Sequence, residues 1–181
     1  LARQSGIDAP FIRKKNLSED NSSTVDVIID ALKWFKIDFN YYPKNVVLLQ
    51  PTSPFRTGDD IDRAIEKYEK TGVDSLVSAC EASQHPSECV IVNEKNKIQL
   101  IEISKNEKVQ CRQGYQKAYF IDGGIYISSV EKILKEKKLF SESSELFFSK
   151  KSHAIDIDDE YDLELARAIF HHSEKINIMD L

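Results

Sequence analysis

The sequence has no long apolar run, no excess of positive charge and few cysteines. None of its apolar stretches approaches the ~20 residues that a membrane-spanning helix needs, so we expect no membrane segment. The formal net charge is −5 with both signs interspersed, which gives no support for binding nucleic acid through a basic face. The three cysteines, Cys80, Cys89 and Cys111, lack metal-ligand spacing, and we expect free thiols in a reducing cytosol.

The chain has the length and composition of one globular domain. Apolar residues make up 41% of its 181 residues and charged residues 30%. These fractions are typical of a folded protein with a substantial core rather than of a disordered one. We therefore expect a single domain over residues 1–181.

The most informative stretch is Asn45–Arg56, which reads NVVLLQPTSPFR. Its apolar run Val46–Leu49 is typical of a strand buried on both faces in a parallel sheet. Two prolines then end the strand, so Gln50 and the hydroxyl residues after it lie beyond its carboxyl end, where open α/β sheets bind ligands. A helix is predicted to follow Thr57 and to stop at Gly72.

Upstream of this unit, Arg13 ends a short extended segment, Ala9–Arg13, that we expect to be a strand or strand-like edge. A polar loop, Lys14–Thr24, ends in residues favoured at helix N-termini. Apolar residues at helical spacing then predict an amphipathic helix over Thr24–Lys36. Two interpretations of the loop stay open: a capped helix start, or a nucleotide site lined by Arg13 and the hydroxyl groups.

Several later stretches continue the α/β pattern. Val73–Cys80 predicts another buried strand, and Ile121–Ser128 predicts a tight turn with two glycines and then a strand. Cys89–Val92 and Ile98–Ile103 flank a polar turn and predict a two-stranded hairpin. Val130–Lys138 predicts a short helix, and the pattern says little about the residues from there to 149.

A run of acidic residues precedes the last predicted helix. Asp156 and Asp158 are two residues apart, so on an extended segment their carboxylates point the same way. Close like charges need a counter-cation, and hard oxygen ligands suit Mg²⁺. Alternatively, the acidic side chains, including Asp159, Glu160 and Asp162, simply favour the positive end of the helix dipole.

Four strings, in the right order, resemble those of the CMP-sialic acid synthetase (acylneuraminate cytidylyltransferase) family. LLQPTSPFR resembles the family's LLQPTSPLR, IDIDDEYDLELA resembles IDIDTELDL, and VSAC occurs at Val77–Cys80. The stretch Arg13–Thr24 is similar to the RP-x-x-LA-x-D-x-x-SS pattern. The resemblance implies a Rossmann-like, GT-A-like α/β nucleotidyltransferase fold. That fold is a three-layer sandwich with a mostly parallel central sheet and a small β-hairpin dimerisation insert at about residues 84–120.

The resemblance also implies a reaction and a set of site residues. A cytidylyltransferase of this family would activate an acidic nine-carbon sugar, an N-acylneuraminate or related nonulosonic acid, with CTP, giving the CMP-sugar and pyrophosphate. The implied residues are, for catalysis and Mg²⁺, Asp156 and Asp158; for the nucleotide, Arg13, Asn16, Ser23 and Thr24; and for the sugar, Gln50, Arg112, Asp122 and Tyr126.

The implied assembly is a homodimer in which Arg112 reaches the neighbouring subunit's site and grips the sugar carboxylate, a natural bidentate pairing. Besides Lys14, which stands where the family usually has Pro, two departures from the family pattern matter. Asp122 replaces the usual Asn, and Glu88 stands where sialic-acid enzymes often carry Lys. Both add negative charge near the expected sugar site, so a legionaminic, pseudaminic or Kdo-type acid is an alternative substrate.

Two further alternatives concern the activity itself. A metal-dependent glycosyltransferase would use Asp156 and Asp158 as its DxD motif, and an inactive fragment would merely dimerise. The family's phosphate-binding loop, of the type ARxxSKGxxxKN, has no counterpart in these residues. We therefore expect a fragment that lacks the N-terminal segment of the family, binds CTP poorly and turns over little.

Overall fold

The computed structural model of the protein describes residues 2–19, 21–101 and 116–176. Four α-helices are described: α1 (Thr24–Phe39), α2 (Gly58–Thr71), α3 (Val130–Glu136) and α4 (Glu160–Ile176). The six described strands are β1 (Asn45–Leu48), β2 (Ser75–Glu81), β3 (Val90–Val92), β4 (Ile98–Leu100), β5 (Tyr119–Ser129) and β6 (Glu145–Phe148). No helix in these ranges is both long enough and apolar enough to cross a bilayer.

The main sheet has four strands in the order β1-β5-β2-β6. β5 runs antiparallel to both of its neighbours, whereas β2 and β6 are parallel. Three of the four strands therefore point the same way, and β5 alone is reversed. This mixed sheet agrees with the predicted α/β class, and the carboxyl ends of β1, β2 and β6 share one edge.

Helices cover both faces of this sheet. On one face, Ala64 and Tyr68 of α2 pack against buried strand residues, among them Leu76 and Ile127. On the other face, α1 and α3 pack together over β1, with Ile133 fully buried. Burial of each such side chain contributes roughly 1.5–3 kcal/mol, so the two clusters hold the three layers together.

The ends of α2 follow from its sequence. Thr57 and Asp60 form a reciprocal capping box, in which each side chain accepts a hydrogen bond from the backbone N–H of the other. Gly72 ends the helix in the left-handed conformation, with a φ of 66°. Both boundaries were predicted from the pattern.

A wide bulge interrupts β5 where it passes β2. Val77 pairs with Tyr126 and Ala79 pairs with Ile121, so Ser78 alone faces the four residues 122–125. The Ser78 hydroxyl fills the gap, because it accepts a hydrogen bond from the N–H of Ile125 at 2.7 Å and donates one to the carboxylate of Asp122. The predicted glycine turn is thus a bulge within one long strand.

Three expectations need correction, and one strand was missed. Val46–Leu49 was predicted to be buried on both faces in a parallel sheet, but β1 is an edge strand that runs antiparallel to β5, and its residues alternate between exposed and half-buried. Ala9–Arg13 joins neither of the described sheets and pairs with no described strand, and its residues are exposed or half-buried. The first helix runs to Phe39 rather than to Lys36. Asn40 then caps it in the left-handed conformation. β6 was not predicted, although it pairs with β2 in the main sheet.

The predicted hairpin forms a separate two-stranded sheet, β3 with β4. Val90, Ile91, Val92 and Ile98 leave between 46% and 71% of their surface exposed. A lone two-stranded ribbon is at best marginally stable in water. This hairpin is therefore an apolar projection from the domain, within the region predicted as an insert.

Candidate functional site

Three segments that are far apart in the sequence meet at the bulge of β5. Gln50 follows β1 and Asp156 follows β6. A Cβ atom placed on Gly123 would lie 2.8 Å from Oδ2 of Asp156 and 3.0 Å from Oε1 of Gln50. The φ of Gly123 is 70°, a left-handed conformation that residues with side chains disfavour. We call Gln50, Asp122, Gly123 and Asp156 the Gly123 junction.

The two carboxylate oxygens of Asp122 have different surroundings. The residue is only 1% exposed. Its Oδ1 accepts hydrogen bonds from the Ser78 hydroxyl and from the N–H of Gly124, the latter at 3.0 Å. Its Oδ2 is buried and has no hydrogen-bond partner among the described residues. A buried polar atom without a partner costs about 1–3 kcal/mol, so Oδ2 is an unsatisfied acceptor at the centre of the junction.

Asp156 carries a second unsatisfied oxygen. Its Oδ1 is buried without a hydrogen-bond partner in the part of the chain that the structure describes. The next residue, Ile157, donates its N–H to the carbonyl of Thr52 at 2.9 Å, which ties the extended acidic segment to the loop after β1. Asp156 is thereby held in the Gly123 junction with one buried oxygen that the described chain leaves unsatisfied.

The donor set at this point fits Mg²⁺. The described ranges contain no cluster of three or more His, Cys, Asp or Glu side chains that could hold a metal ion by themselves. Mg²⁺, however, usually takes one or two carboxylates and completes its octahedral coordination with water and substrate phosphates. The unsatisfied oxygen of Asp156 suits that role.

Two more side chains surround the Gly123 junction. Burial raises the pKa of the Tyr126 hydroxyl, and the negative charges of Asp122 and Asp156 raise it further. Tyr126 therefore stays protonated and can donate a hydrogen bond. Arg56 donates to the carbonyl of Gly124 at 2.7 Å. Burial lowers the pKa of Arg56 while the charge of Asp122 acts in the opposite direction, and Arg56 supports the bulge as a cation.

Asp158 lies at the exposed end of the acidic segment, where α4 begins. The N–H groups of Asp158 and Asp159 donate to Oδ2 of Asp162 at 3.1 and 3.3 Å. In return, the N–H of Asp162 donates to Oδ1 of Asp159 at 2.9 Å. Asp162 therefore braces the first turn of α4, as expected from the sequence, and the Asp158 side chain is left exposed.

Comparison with curated proteins finds relatives that cover most of the chain. A CMP-N,N'-diacetyllegionaminic acid synthase from Legionella pneumophila is 30% identical over 176 residues, which are 97% of this chain and 74% of that protein. The chain belongs to the CMP-sialic acid synthetase family. Within this family, a pseudaminic acid cytidylyltransferase from Campylobacter jejuni is 29% identical over 94% of this chain and 72% of its own length. An N-acylneuraminate cytidylyltransferase from Streptococcus agalactiae is 31% identical over 81% of this chain and 34% of its own length.

Solved structures share the fold at lower sequence identity. A CMP:2-keto-3-deoxy-manno-octonic acid synthetase in complex with CTP has a TM-score of 0.62 and 13% identity, covering 95% of this chain and 76% of that one. A 4-diphosphocytidyl-2C-methyl-D-erythritol synthase from Anaerococcus prevotii has a TM-score of 0.52 and 11% identity, covering 83% and 68%. This protein thus has a nucleotidyltransferase fold, as predicted. No protein-family model matches the chain.

The predicted nucleotide residues lie apart from the Gly123 junction. All four are exposed around the start of α1, where Ser23 is the N-cap residue and makes no side-chain capping hydrogen bond: Arg13, Asn16, Ser23 and Thr24. Because α1 packs on β1 and leads into it through a short connection, the start of α1 lies toward the carboxyl end of β1. Within the described residues, no hydrogen bond or ion pair joins these side chains to the junction.

Of the predicted sugar residues, Gln50 and Asp122 belong to the Gly123 junction and Tyr126 lies beside them. Arg112 falls outside the described residues, and its role stays a prediction. The roles of Asp156 and Asp158 also stay predictions, although Asp156 is in the junction.

Sequence reasoning missed four residues that support the site: Arg56, Asp60, Ser78 and His153. The spacing of Thr57 and Asp60 is that of a capping box and could have indicated Asp60. Local spacing could not have indicated Arg56, Ser78 or His153, because their partners lie far away in the sequence. Ser78 and Asp122 are 44 residues apart, and Asp60 and His153 are 93 residues apart.

Proposed function

We propose that this chain is a cytidylyltransferase that activates an acidic nine-carbon 2-keto sugar with CTP. The 2-hydroxyl of the sugar attacks the α-phosphorus of CTP, the bond to the β-phosphate breaks, pyrophosphate leaves and the hydroxyl proton passes to solvent. The Gly123 junction supports this proposal most directly, because it joins the Gln50 loop and the acidic segment in a chain of this family.

Two residues of the junction and the nearby Asp158 have separate roles in the proposed reaction. Gln50 positions the sugar, and Asp156 and Asp158 would hold Mg²⁺. When bound there, Mg²⁺ supplies positive charge that offsets the charge of the triphosphate. The pair would need no third protein carboxylate, since substrate phosphates and water complete the coordination of this ion.

We assign the nucleotide to the start of α1. The exposed Ser23 and Thr24 lie where the helix presents unpaired N–H groups, which favour polar and anionic ligands. Arg13 offers a planar donor pair for a carbonyl or phosphate oxygen. Asn16 lies in the loop before α1, where its carbonyl contacts the Ser22 hydroxyl at 3.5 Å.

We assign the sugar to the side of the junction that contains Asp122 and Tyr126. The unpartnered Oδ2 of Asp122 accepts a hydroxyl or amide N–H of the sugar, and the protonated Tyr126 offers a donor. Arg112 remains the candidate for the sugar carboxylate. A substrate with a donor group opposite Asp122 is therefore favoured over one that presents only acceptors there.

We also propose a cytoplasmic homodimer. The exposed apolar side chains of the β3–β4 hairpin favour burial against a second subunit, because such a ribbon is marginal in water on its own. Cys80 and Cys89 are free thiols, which is consistent with a reducing compartment.

The test is pyrophosphate release from CTP and Mg²⁺ by the gene product that carries this chain, with a panel of four acids: N-acetylneuraminic, legionaminic, pseudaminic and Kdo. We expect release with at least one of the three nine-carbon acids and a loss of at least roughly a hundredfold in Asp156→Asn and Asp158→Asn, as for loss of charge stabilisation at a reacting phosphate. Asp38→Asn, an exposed residue on α1, is the matched control and should retain activity. Absence of release with all three nine-carbon acids overturns the proposal, and this includes release with the eight-carbon Kdo alone.

A further inference from the structure

A buried His–Asp pair lies next to the acidic segment but outside the Gly123 junction. Nδ1 of His153 is 2.7 Å from Oδ2 of Asp60. The two residues are only 8% and 3% exposed. Asp60 belongs to the first turn of α2, and His153 precedes Asp156 by three residues. The pair therefore joins the helix that follows the Gln50 loop to the segment that contains Asp156.

The hydrogen bonds of Asp60 identify which ring nitrogen makes the contact. Its Oδ2 accepts from the backbone N–H of Thr57 at 3.0 Å and from the Thr57 hydroxyl at 2.7 Å, and its Oδ1 pairs with Arg63 at 2.6 Å. Burial acts to raise the pKa of Asp60, but these bonds and the one with His153 outweigh it, so the pKa lies below its ordinary value. An ionised carboxylate only accepts, which makes Nδ1–H of His153 the donor.

The other ring nitrogen, Nε2, makes no such hydrogen bond within the described residues. Nε2 of His153 is buried and has no partner among the residues that the structure describes. All of the hydrogen bonding that this side chain gains on burial thus goes through Nδ1. A role that depends on Nδ1 alone can be separated experimentally from one that depends on Nε2.

An open cleft of about 600 Å³ lies between the first turns of α2 and the residues around His153, with Arg63 and Lys150 on its walls. The segment is attached to the Gln50 side of the fold at two points: the His153 contact with Asp60, and the Ile157 N–H bond to the Thr52 carbonyl. Asp156 lies between these two points.

We infer, on the basis of the proposed function, that His153 is a positioning residue for the cytidylyl transfer. Its Nδ1–H bond to Asp60 sets the place of Asp156 relative to Gln50 and Gly123. His153 itself contacts neither of the reacting groups in this assignment. Its loss should lower kcat, because misplacement of a catalytic group by about 1 Å can cost on the order of a hundredfold. The KM for CTP should change little, because the assigned nucleotide residues lie at the start of α1.

Two polar substitutions separate the ring nitrogens. In His153→Asn the side-chain amide nitrogen can take the place of Nδ1, whereas in His153→Gln it lies nearer to Nε2. We expect His153→Asn to keep kcat within about threefold of the wild type and His153→Gln to lose roughly ten- to a hundredfold. His172→Asn, an exposed residue on α4, is the control. Equal activity of the Asn and Gln variants, or a larger loss in the Asn variant, overturns the inference.

Amide hydrogen exchange over residues 154–158 gives a readout that does not depend on turnover. The inference requires faster exchange in His153→Gln than in His153→Asn, with His153→Asn close to the wild type. Should the wild type release no pyrophosphate, the proposed function is lost, and the exchange rates alone decide whether His153 holds the acidic segment. Should His153→Gln fail to fold, the inference then requires wild-type-like exchange and kcat in His153→Asn, and a loss of either overturns it.

Discussion

At the scale of single residues, Asp122 and Asp156 each keep one buried carboxylate oxygen without a partner in the described chain. In both cases the other oxygen is close to a neighbour: Ser78 and Gly124 contact Oδ1 of Asp122, and Gly123 lies against Oδ2 of Asp156. Hydrogen bonds thus fix the orientation of the Asp122 carboxylate, and the close approach of the Gly123 backbone limits that of Asp156. Such preorganisation reduces the cost of ordering groups during the reaction.

Gly123→Ala tests this arrangement directly. The new methyl group would lie 2.8 Å from Oδ2 of Asp156 and would require a side chain at a φ of 70°. We expect the free energy of unfolding to fall by about 1–2 kcal/mol from the backbone conformation alone. The rate of pyrophosphate release should fall by more than the loss of folded protein accounts for, because Asp156 is displaced. Chemical denaturation and turnover, measured on the same preparation, check both effects.

Gly58→Ala is the control for that substitution. Gly58 is the first residue of α2, has an ordinary φ, and a Cβ there meets no atom within 4 Å. Replacement by Ala in a helix should be neutral or stabilising by up to about 1 kcal/mol. Equal effects of the two substitutions on activity would contradict the role given to Gly123.

At the scale of elements, the bulge of β5 places Asp122 and Gly123 away from the regular ladder. One serine supports it: Ser78 is fully buried and bonds to both sides of the bulge. In a continuous ladder, successive residues of β5 would pair with β2 and their side chains would alternate between the faces of the sheet. The bulge instead directs a carboxylate and a glycine toward the ends of β1 and β6.

Ser78→Ala should destabilise the bulge. The N–H of Ile125 would lose its acceptor and Asp122 would lose one donor, and each buried group left unpaired costs about 1–3 kcal/mol. We expect a lower urea midpoint with an unchanged m-value and a higher KM for the sugar. Ser128→Ala is the matched control, since Ser128 is 1% exposed in the neighbouring strand β5 but its hydroxyl makes only a 3.5 Å contact. A comparable loss of stability in both variants would argue against a special role for Ser78.

At the scale of the whole molecule, the hairpin projects apolar side chains that the described chain does not cover. Ile91→Asp should convert the proposed dimer to a monomer, because it places a charge in the surface that would be buried. Sedimentation velocity over a range of concentrations measures this change. Ile37→Asp is the control, since Ile37 is 79% exposed at the far end of α1. A wild-type protein that is monomeric at every concentration would rule the dimer out.

Local patterns predicted the elements whose signals are local. The strand at Val46–Leu49 and the helix between Thr57 and Gly72 depend on neighbouring residues, and the structure has both elements. The strand nevertheless lies at an edge of the sheet and alternates between exposed and half-buried residues, so its predicted burial on both faces in a parallel sheet was wrong. β6 has only four residues within a polar stretch, and it is a strand because it pairs with β2, about seventy residues earlier. The reversed direction of β5 likewise depends on its neighbours in the sheet and cannot be read from its own sequence.

The same distinction applies to the candidate site. The strings that contain Gln50 and Asp156 are visible in the sequence, and the structure brings these two residues together at Gly123. The contacts that hold them in place are not visible, because the Asp60–His153 pair joins residues 93 positions apart. Arg56 was also missed, since its bond to the Gly124 carbonyl spans 68 positions.

The order of strands in the main sheet has a consequence for synthesis of the chain. β1 and β2 are not neighbours, and each pairs with β5, which begins only at Tyr119. As the polypeptide emerges from the ribosome at about 5–20 residues per second, both strands must wait several seconds for their shared partner. During that interval the apolar Val46–Leu49 segment presents an unpaired edge, which is the kind of surface that chaperones bind and that aggregates.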